Sequence, residues 1–260
     1  MSTNYGFLAE KQLAYDLNRR LYDELSEQNK HLITSLFGVI DKKELIKCIR
    51  TEESIKPDLI INYMGQTKTV SIKTGDSTYI HQEGIESFIK YLRSLGISDK
   101  TQRTILLFQY GDGTMTGKGV KRHSEEKLAE MYAEEIRNAN LELNEDNERI
   151  WKIVKRAMFK GIDNLNLEAD AIMHIDNDKY AVACEEQVEK HIKRKNWNFY
   201  TNLHIGPLFF RPHARYVDKK IINEKYRHIV NFHWAHLDKD ILYISKKYNS
   251  NVMSSKPIKK

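Results

Sequence analysis

The stretch PDLIINYMGQTKTVSIKTG, residues 57–75, constrains the fold of this chain more than any other. Apolar and polar residues alternate from Asp58 to Met64, stop at Gly65 and Gln66, and alternate again from Lys68 to Lys73. That is the pattern of two half-buried strands joined by a tight turn. Antiparallel neighbours lie about 4.8 Å apart, so the hairpin brings Asp58, at the start of one strand, toward Lys73, at the end of the other. Alone, such a pair reads as a surface ion pair.

Other groups converge on it. Residues Asn4 to Gln28 read as a helix with Leu13, Leu17, Leu21 and Leu25 at four-residue spacing. Glu10, three residues before Leu13, points toward the same stripe, which puts its carboxylate at the rim of the core or over a site. After the hairpin, a helix is predicted from about His81 to Leu95, with Ile85, Phe88, Ile89, Leu92 and Leu95 inward. Gln82 and Glu86, four apart, would share one of its faces, with Glu83 beside them.

The remaining pattern is mixed. A strand is predicted over Thr104 to Tyr110, then the loop GDGTMTGKG, then helices at about Ser124 to Asn140 and Asn147 to Phe159. A second hairpin, Ala169 to Ile175 and Lys179 to Cys184, turns around Asp176 to Asp178 and leads into a helix from Glu185. Leu208 to Val217, His228 to Trp234 and Asp240 to Ser245 read as strands of a C-terminal sheet, and the last ten residues as a loose tail. The 260 residues, 40% apolar and 30% charged, suffice for a packed core. The expected architecture is one elaborated α/β domain: a mixed sheet core flanked by helices over residues 1–120, and a helical and β-rich elaboration over 121–260.

Several functions are excluded. The two cysteines, Cys48 and Cys184, have no spacing that builds a zinc site. The glycine loop fails the phosphate-loop pattern, because Gly111 stands six residues before Gly117 and Gly119 follows Lys118. The alternation in FHWAH fits a strand better than a histidine metal site. No apolar run approaches the roughly 20 residues of a membrane span, so a cytoplasmic protein is expected. A net charge of +6 suits a polyanionic partner without proving one. Lys118, Lys121 and Arg122 cluster after the glycine loop. In RPHARY, Arg211, His213 and Arg215 would share one face of a strand, either entering a DNA groove, neutralising phosphates, or pairing with acids.

Glu10, then Pro57 and Asp58, then Lys73, then a helix, resembles in order and spacing the PD-(D/E)XK nuclease superfamily, which includes many restriction endonucleases. The resemblance covers roughly residues 5 to 110. It departs at the second acidic slot, two positions before the lysine, which holds Ser71. In a subset of these nucleases the missing carboxylate comes from the following helix. Twelve residues separate Lys73 from Glu86, and Gln82 with Glu86 matches their QxxxE arrangement. The resemblance implies catalytic Asp58, Lys73, Glu86, Glu83, Gln82 and Glu10, with Mg²⁺ (or Mn²⁺) held by Asp58 and either Glu86 or Glu83. It implies a type II restriction-type endonuclease on double-stranded DNA, acting as a homodimer. A structure-specific or repair nuclease, or a catalytically inert DNA-binding module, is the alternative that Ser71 keeps open.

Overall fold

The structure, a computed structural model, describes residues 5–51, 56–75, 78–119, 121–161, 167–176, 179–197, 202–217 and 224–249. The expected tail over 251–260 and the turn residues 177–178 lie outside them. In chain order the elements begin with α1 (Tyr5–Leu17), β1 (Arg20–Leu21), α2 (Glu27–Phe37), β2 (Leu45–Arg50), β3 (Leu59–Tyr63), β4 (Gln66–Thr74) and β5 (Tyr79–Gly84). Next come α3 (Ile85–Ser94), α4 (Asp99–Tyr110), α5 (Glu125–Met131), α6 (Ala133–Leu143), α7 (Asn147–Lys155), β6 (Ala171–Asp176) and β7 (Lys179–Cys184). The last are α8 (Glu185–Arg194), β8 (His204–Ile205), β9 (Leu208–Pro212), α9 (Ala214–Val217), β10 (Ile229–Trp234) and α10 (Leu237–Asn249). The class is mixed α/β. Among the described residues, no helix is long and apolar enough to cross a membrane.

The chain forms two compact units. The first comprises residues 1–77, 158–191 and 236–260. Its six-stranded sheet runs β1-β2-β3-β4-β6-β7, antiparallel except where β4 meets β6 in parallel, Val70 opposite Ala171 and Lys73 opposite His174. The sheet therefore draws on both sides of residue 120. Leu13, Leu17, Leu32 and Ile33 of α1 and α2 bury against Leu59, Ile61, Val70 and Ile72. The helix α10 packs on β6 and β7, with Ile241 and Ile244 fully buried. The β3–β4 turn is made by Met64 and Gly65, both at positive φ (53° and 68°), as a two-residue type I′ hairpin requires.

The second unit comprises residues 78–157 and 192–235, with an antiparallel sheet ordered β5-β10-β9-β8. Phe88 of α3 packs edge-to-face on Phe210 and Phe232, at centroid distances of 5.3 and 4.8 Å.

Five sequence expectations need correction. The first helix stops at Leu17, because Arg19 turns left-handed (φ 59°) and donates its N–H to the Ile46 carbonyl at 2.7 Å. The chain then enters β1, and Ser26 caps a separate helix, α2. Residues 81–84 are strand, paired with β10, so the helix begins only at Ile85. Thr104–Tyr110 is helix: Ser98 Oγ caps it by accepting from Thr101 N, and left-handed Gly111 ends it. Asp240–Ser245 lies in α10, whose Leu237, Ile241 and Ile244 are buried at helical spacing. The strand expected over Leu208–Val217 ends at Pro212. Beyond it His213 Nδ1 accepts from the Arg215 N–H at 3.1 Å and starts a helical turn, so Arg211 and Arg215 do not share a strand face.

In the second unit Glu83, its side chain 1% exposed, accepts two bonds from Arg156: Nη2 to Oε2 at 2.8 Å and Nε to Oε1 at 3.3 Å. Truncating one partner of such a pair strands the other charge. Glu83→Ala should therefore lower the unfolding free energy in urea by about 3 kcal/mol, whereas a loss below half a kilocalorie would deny the pair its structural weight.

Candidate active site

Asp58 enters β3 directly opposite Ser71 of β4, since Leu59 pairs with Val70. Its backbone is fixed on both sides: its N–H donates to the Val70 carbonyl (3.0 Å), and its carbonyl accepts from the Thr51 N–H (3.0 Å). The Thr51 hydroxyl also donates to the Pro57 carbonyl. The carboxylate folds back onto β4, where Oδ2 accepts from the Ile72 N–H at 2.5 Å and from Ser71 Oγ at 3.1 Å. Among the described residues, no donor reaches Oδ1.

Lys73 follows Ser71 by two residues and so stands on the same side of β4. It is half-buried. Desolvation of its ammonium lowers its pKa, opposed by the charges of Asp58 and then Glu10. Glu10 arrives from α1, which packs on β2 and β4. Its carboxyl pKa is raised, first by burial and next by the Asp58 charge, against the hydrogen bond and charge of Arg50 and the charge of Lys73. Arg50 Nη1 donates to Glu10 Oε2 at 3.3 Å, while its guanidinium lies over the Phe7 ring, 4.5 Å from the centroid. Two carboxylates and two cations thus share the end of one sheet, and the two acids feel each other's charge.

Supporting residues fix the register. Asp170 Oδ2 accepts from the Thr69 N–H (2.8 Å) and Thr69 Oγ1 (2.9 Å), and Oδ1 from Lys68 Nζ (3.3 Å). At the other end of β4 the His174 ring bonds the Gly75 carbonyl at 3.0 Å. Arg50, Phe7 and Asp170 carried no sequence signal, because each acts on a partner remote in sequence.

The other candidates lie in the second unit. Gln82 and Glu83 stand on β5 and Glu86 opens α3, so a strand–helix junction separates Gln82 from Glu86 and the shared helical face does not exist. Glu83 is committed to Arg156; Gln82 and Glu86 are exposed. Lys118 and Lys121 are exposed, but Arg122 turns inward and donates to the carbonyls of His123 (2.7 Å) and Phe108 (3.2 Å). Arg211 is exposed on β9. His213 stacks on Tyr226 (4.6 Å), and Arg215 donates to the Tyr226 hydroxyl at 2.8 Å.

The glycine loop is closed by its own acid. Asp112 accepts from Thr114 N, Thr114 Oγ1 and Gly119 N at 2.7–2.9 Å. Burial works against its charge, but these bonds outweigh it and lower its pKa. A phosphate would have to displace that carboxylate. The cysteines are passive, burial pushing Cys48 up to about 12 and Cys184 to about 11. Among the described residues, no three His, Cys, Asp or Glu side chains are grouped to hold a metal ion.

No protein-family model matches the chain, and no curated protein matches it in sequence. Among solved structures it is similar to the restriction endonuclease MspI in complex with its cognate DNA, at 15% identity and a TM-score of 0.44, over 87% of this chain and 88% of that one. A likeness of that depth assigns no residue and no reaction to this chain.

The raised Glu10 pKa means that the folded protein holds the Glu10 proton more tightly than the unfolded chain. Stability from this group is present in full below the unfolded value near 4.5 and declines as pH rises through the folded value. Glu10→Gln should melt above the wild type at pH 8, and the advantage should vanish below about pH 4.5. A mutant melting lower at pH 8 would contradict this electrostatic account.

Proposed function

We propose that the chain is a Mg²⁺-dependent endonuclease of double-stranded DNA, of the restriction type, whose centre is Asp58, Glu10 and Lys73. The observation that carries the reading is the convergence of two mutually repelling carboxylates with a desolvated ammonium at one sheet end. A hard divalent cation suits this donor set. Mg²⁺ keeps several waters and is commonly held by one or two carboxylates together with substrate phosphate, so Asp58 and Glu10 suffice. Bound there, it would supply charge neutralisation at the scissile phosphate and a more acidic water.

The chain's own groups have distinct work. Ser71 Oγ and the Ile72 N–H hold Asp58 Oδ2 and leave Oδ1 as the acceptor for a ligand. Arg50 orients Glu10. Lys73 donates to the attacking water and offsets charge that builds on the phosphate oxygens, a role its weakened hold on the proton favours. In this reading Glu10 supplies the carboxylate missing from position 71, in preference to Glu86 or the committed Glu83. Cutting both strands needs two such centres, which a two-fold homodimer provides.

Asp58→Ala, Lys73→Ala and Glu10→Ala should each reduce plasmid cleavage by about 100-fold or more while leaving DNA affinity within about tenfold, whereas Glu86→Ala should cut normally. Loss of cutting in Glu86→Ala with full activity in Glu10→Ala would transfer the ligand to the helix. Cutting in excess EDTA would be incompatible with the metal. Discrete bands mark a sequence-specific enzyme and smears a nonspecific or repair nuclease. Intact plasmid with a shifted gel band would mark an inert binder, the alternative that Ser71 keeps open.

A further inference from the structure

The sheet of the second unit has two unlike faces. Val230, Phe232 and Trp234 of β10 point into the core with Leu208 and Phe210 of β9. Residues of opposite parity form the other face. There the register places Asn231 opposite Gln82 on one side and opposite Arg211 on the other. The three side chains therefore stand in one row across β5, β10 and β9, at the strand spacing of about 4.8 Å.

None of the three makes a hydrogen bond to another described residue. Gln82 and Arg211 are exposed. Asn231 is only 8% exposed, and its Oδ1 is buried without a partner. A native fold satisfies nearly all such atoms, so an amide kept at this position without a described partner points to one that arrives from outside and is met by a turn of the carboxamide toward the exposed Gln82 and Arg211.

The neighbouring row adds shape and charge. Past a register shift between Phe232 and His233 that leaves Ile80 unpaired, Tyr79, His233 and Phe209 form the next row, with Tyr79 packed edge-on against His233 at 5.9 Å. His233 is neutral near pH 7, since burial first, and then the nearby Arg211 charge, lowers its pKa to about 4. No carboxylate stands in either row, so the only formal charge there is that of Arg211. Neither row itself repels a polyanion.

We infer that the row Gln82–Asn231–Arg211 contacts the base edges of duplex DNA and sets sequence preference. The chemistry matches the donor and acceptor pattern of purines: a carboxamide offers one donor and one acceptor side by side, as adenine N6 and N7 require, and a guanidinium offers the paired donors that guanine O6 and N7 accept. This inference rests on the nuclease reading for its occupant, but on different residues in the other unit.

The test uses the full-length protein without Mg²⁺, so that binding is read apart from cutting. Duplexes carrying a randomised segment are selected for binding at fixed salt. The wild type should enrich a motif containing adenine and guanine. Asn231→Ala should lose discrimination at an adenine by about tenfold or more, while total affinity for random duplex stays within a few-fold. Its melting temperature should not fall, since no protein hydrogen bond is lost. Asn231→Asp, nearly the same in shape, should lose the same preference, which guards against a packing artefact. Arg211→Ala should relax a guanine. Enrichment of an unchanged motif by both Asn231 variants would overturn the inference. So would a wild type with no preference, or an Arg211→Ala that weakens all sequences equally with a shallower salt dependence. A motif bound but never cut when Mg²⁺ is added would sink the nuclease and leave the row intact; an Asn231→Ala that cuts the wild-type motif unchanged would do the reverse.

Discussion

The proposed centre depends on the register of one strand, β4. It lies between β3, paired antiparallel, and β6, paired in parallel. A slip of one residue would carry Ser71 and Lys73 to the opposite side of the sheet and bring Val70 and Ile72 out of the core. The parallel partner arrives from about a hundred residues away, so local turn chemistry cannot set it. Asp170 does: its carboxylate closes on the Thr69 N–H and hydroxyl and on Lys68 at the moment the chain enters β6. Charge-assisted bonds of this kind are short and directional. They fix where β4 starts relative to β6, and hence where Lys73 stands relative to Asp58 and Glu10.

That arrangement is unfavourable to the fold in isolation. Two carboxylates and a lysine that loses hydration are brought together, and the shifts of Glu10 and Lys73 both run toward the neutral form. Arg50, backed by Phe7, compensates part of the repulsion. The hydrophobic sheet core beneath supplies the rest of the stability that lets such a cluster persist.

Sequence pattern located the hairpin because period-two alternation and a glycine turn are local signals. Asp58 and Lys73 were placed near each other by that same hairpin, whereas Glu10 entered through its helical spacing from Leu13 and Leu17. Pattern failed where a short apolar run is compatible with either period: ILLFQY in α4 and ILYIS in α10 read as strands on composition, although Ser98 and Gly111 bracket the first as a helix. It failed again at residues 81–84, whose strand character exists only through pairing with β10, far along the chain. That misreading moved Gln82 and Glu86 onto a common helical face. Within RPHARY the stop signal was Pro212, which has no N–H with which to continue the ladder. Arg50 and Asp170 were illegible because nothing in their local sequence names the distant groups they hold.

The serine at position 71 follows from the same physics. The residue is 1% exposed and faces Asp58 across the strand pair. A carboxylate there would add a third negative charge to a group in which Glu10 already resists ionisation, with Lys73 as the neighbouring cation on that strand. Its desolvation would raise its own pKa as well. A hydroxyl instead donates to Asp58 Oδ2 and supplements the Ile72 N–H in fixing the carboxylate plane. In the proposed centre the number of acids thus stays at two, contributed by Asp58 from the sheet and Glu10 from the helix, and the serine orients one of them where a second strand carboxylate would repel it.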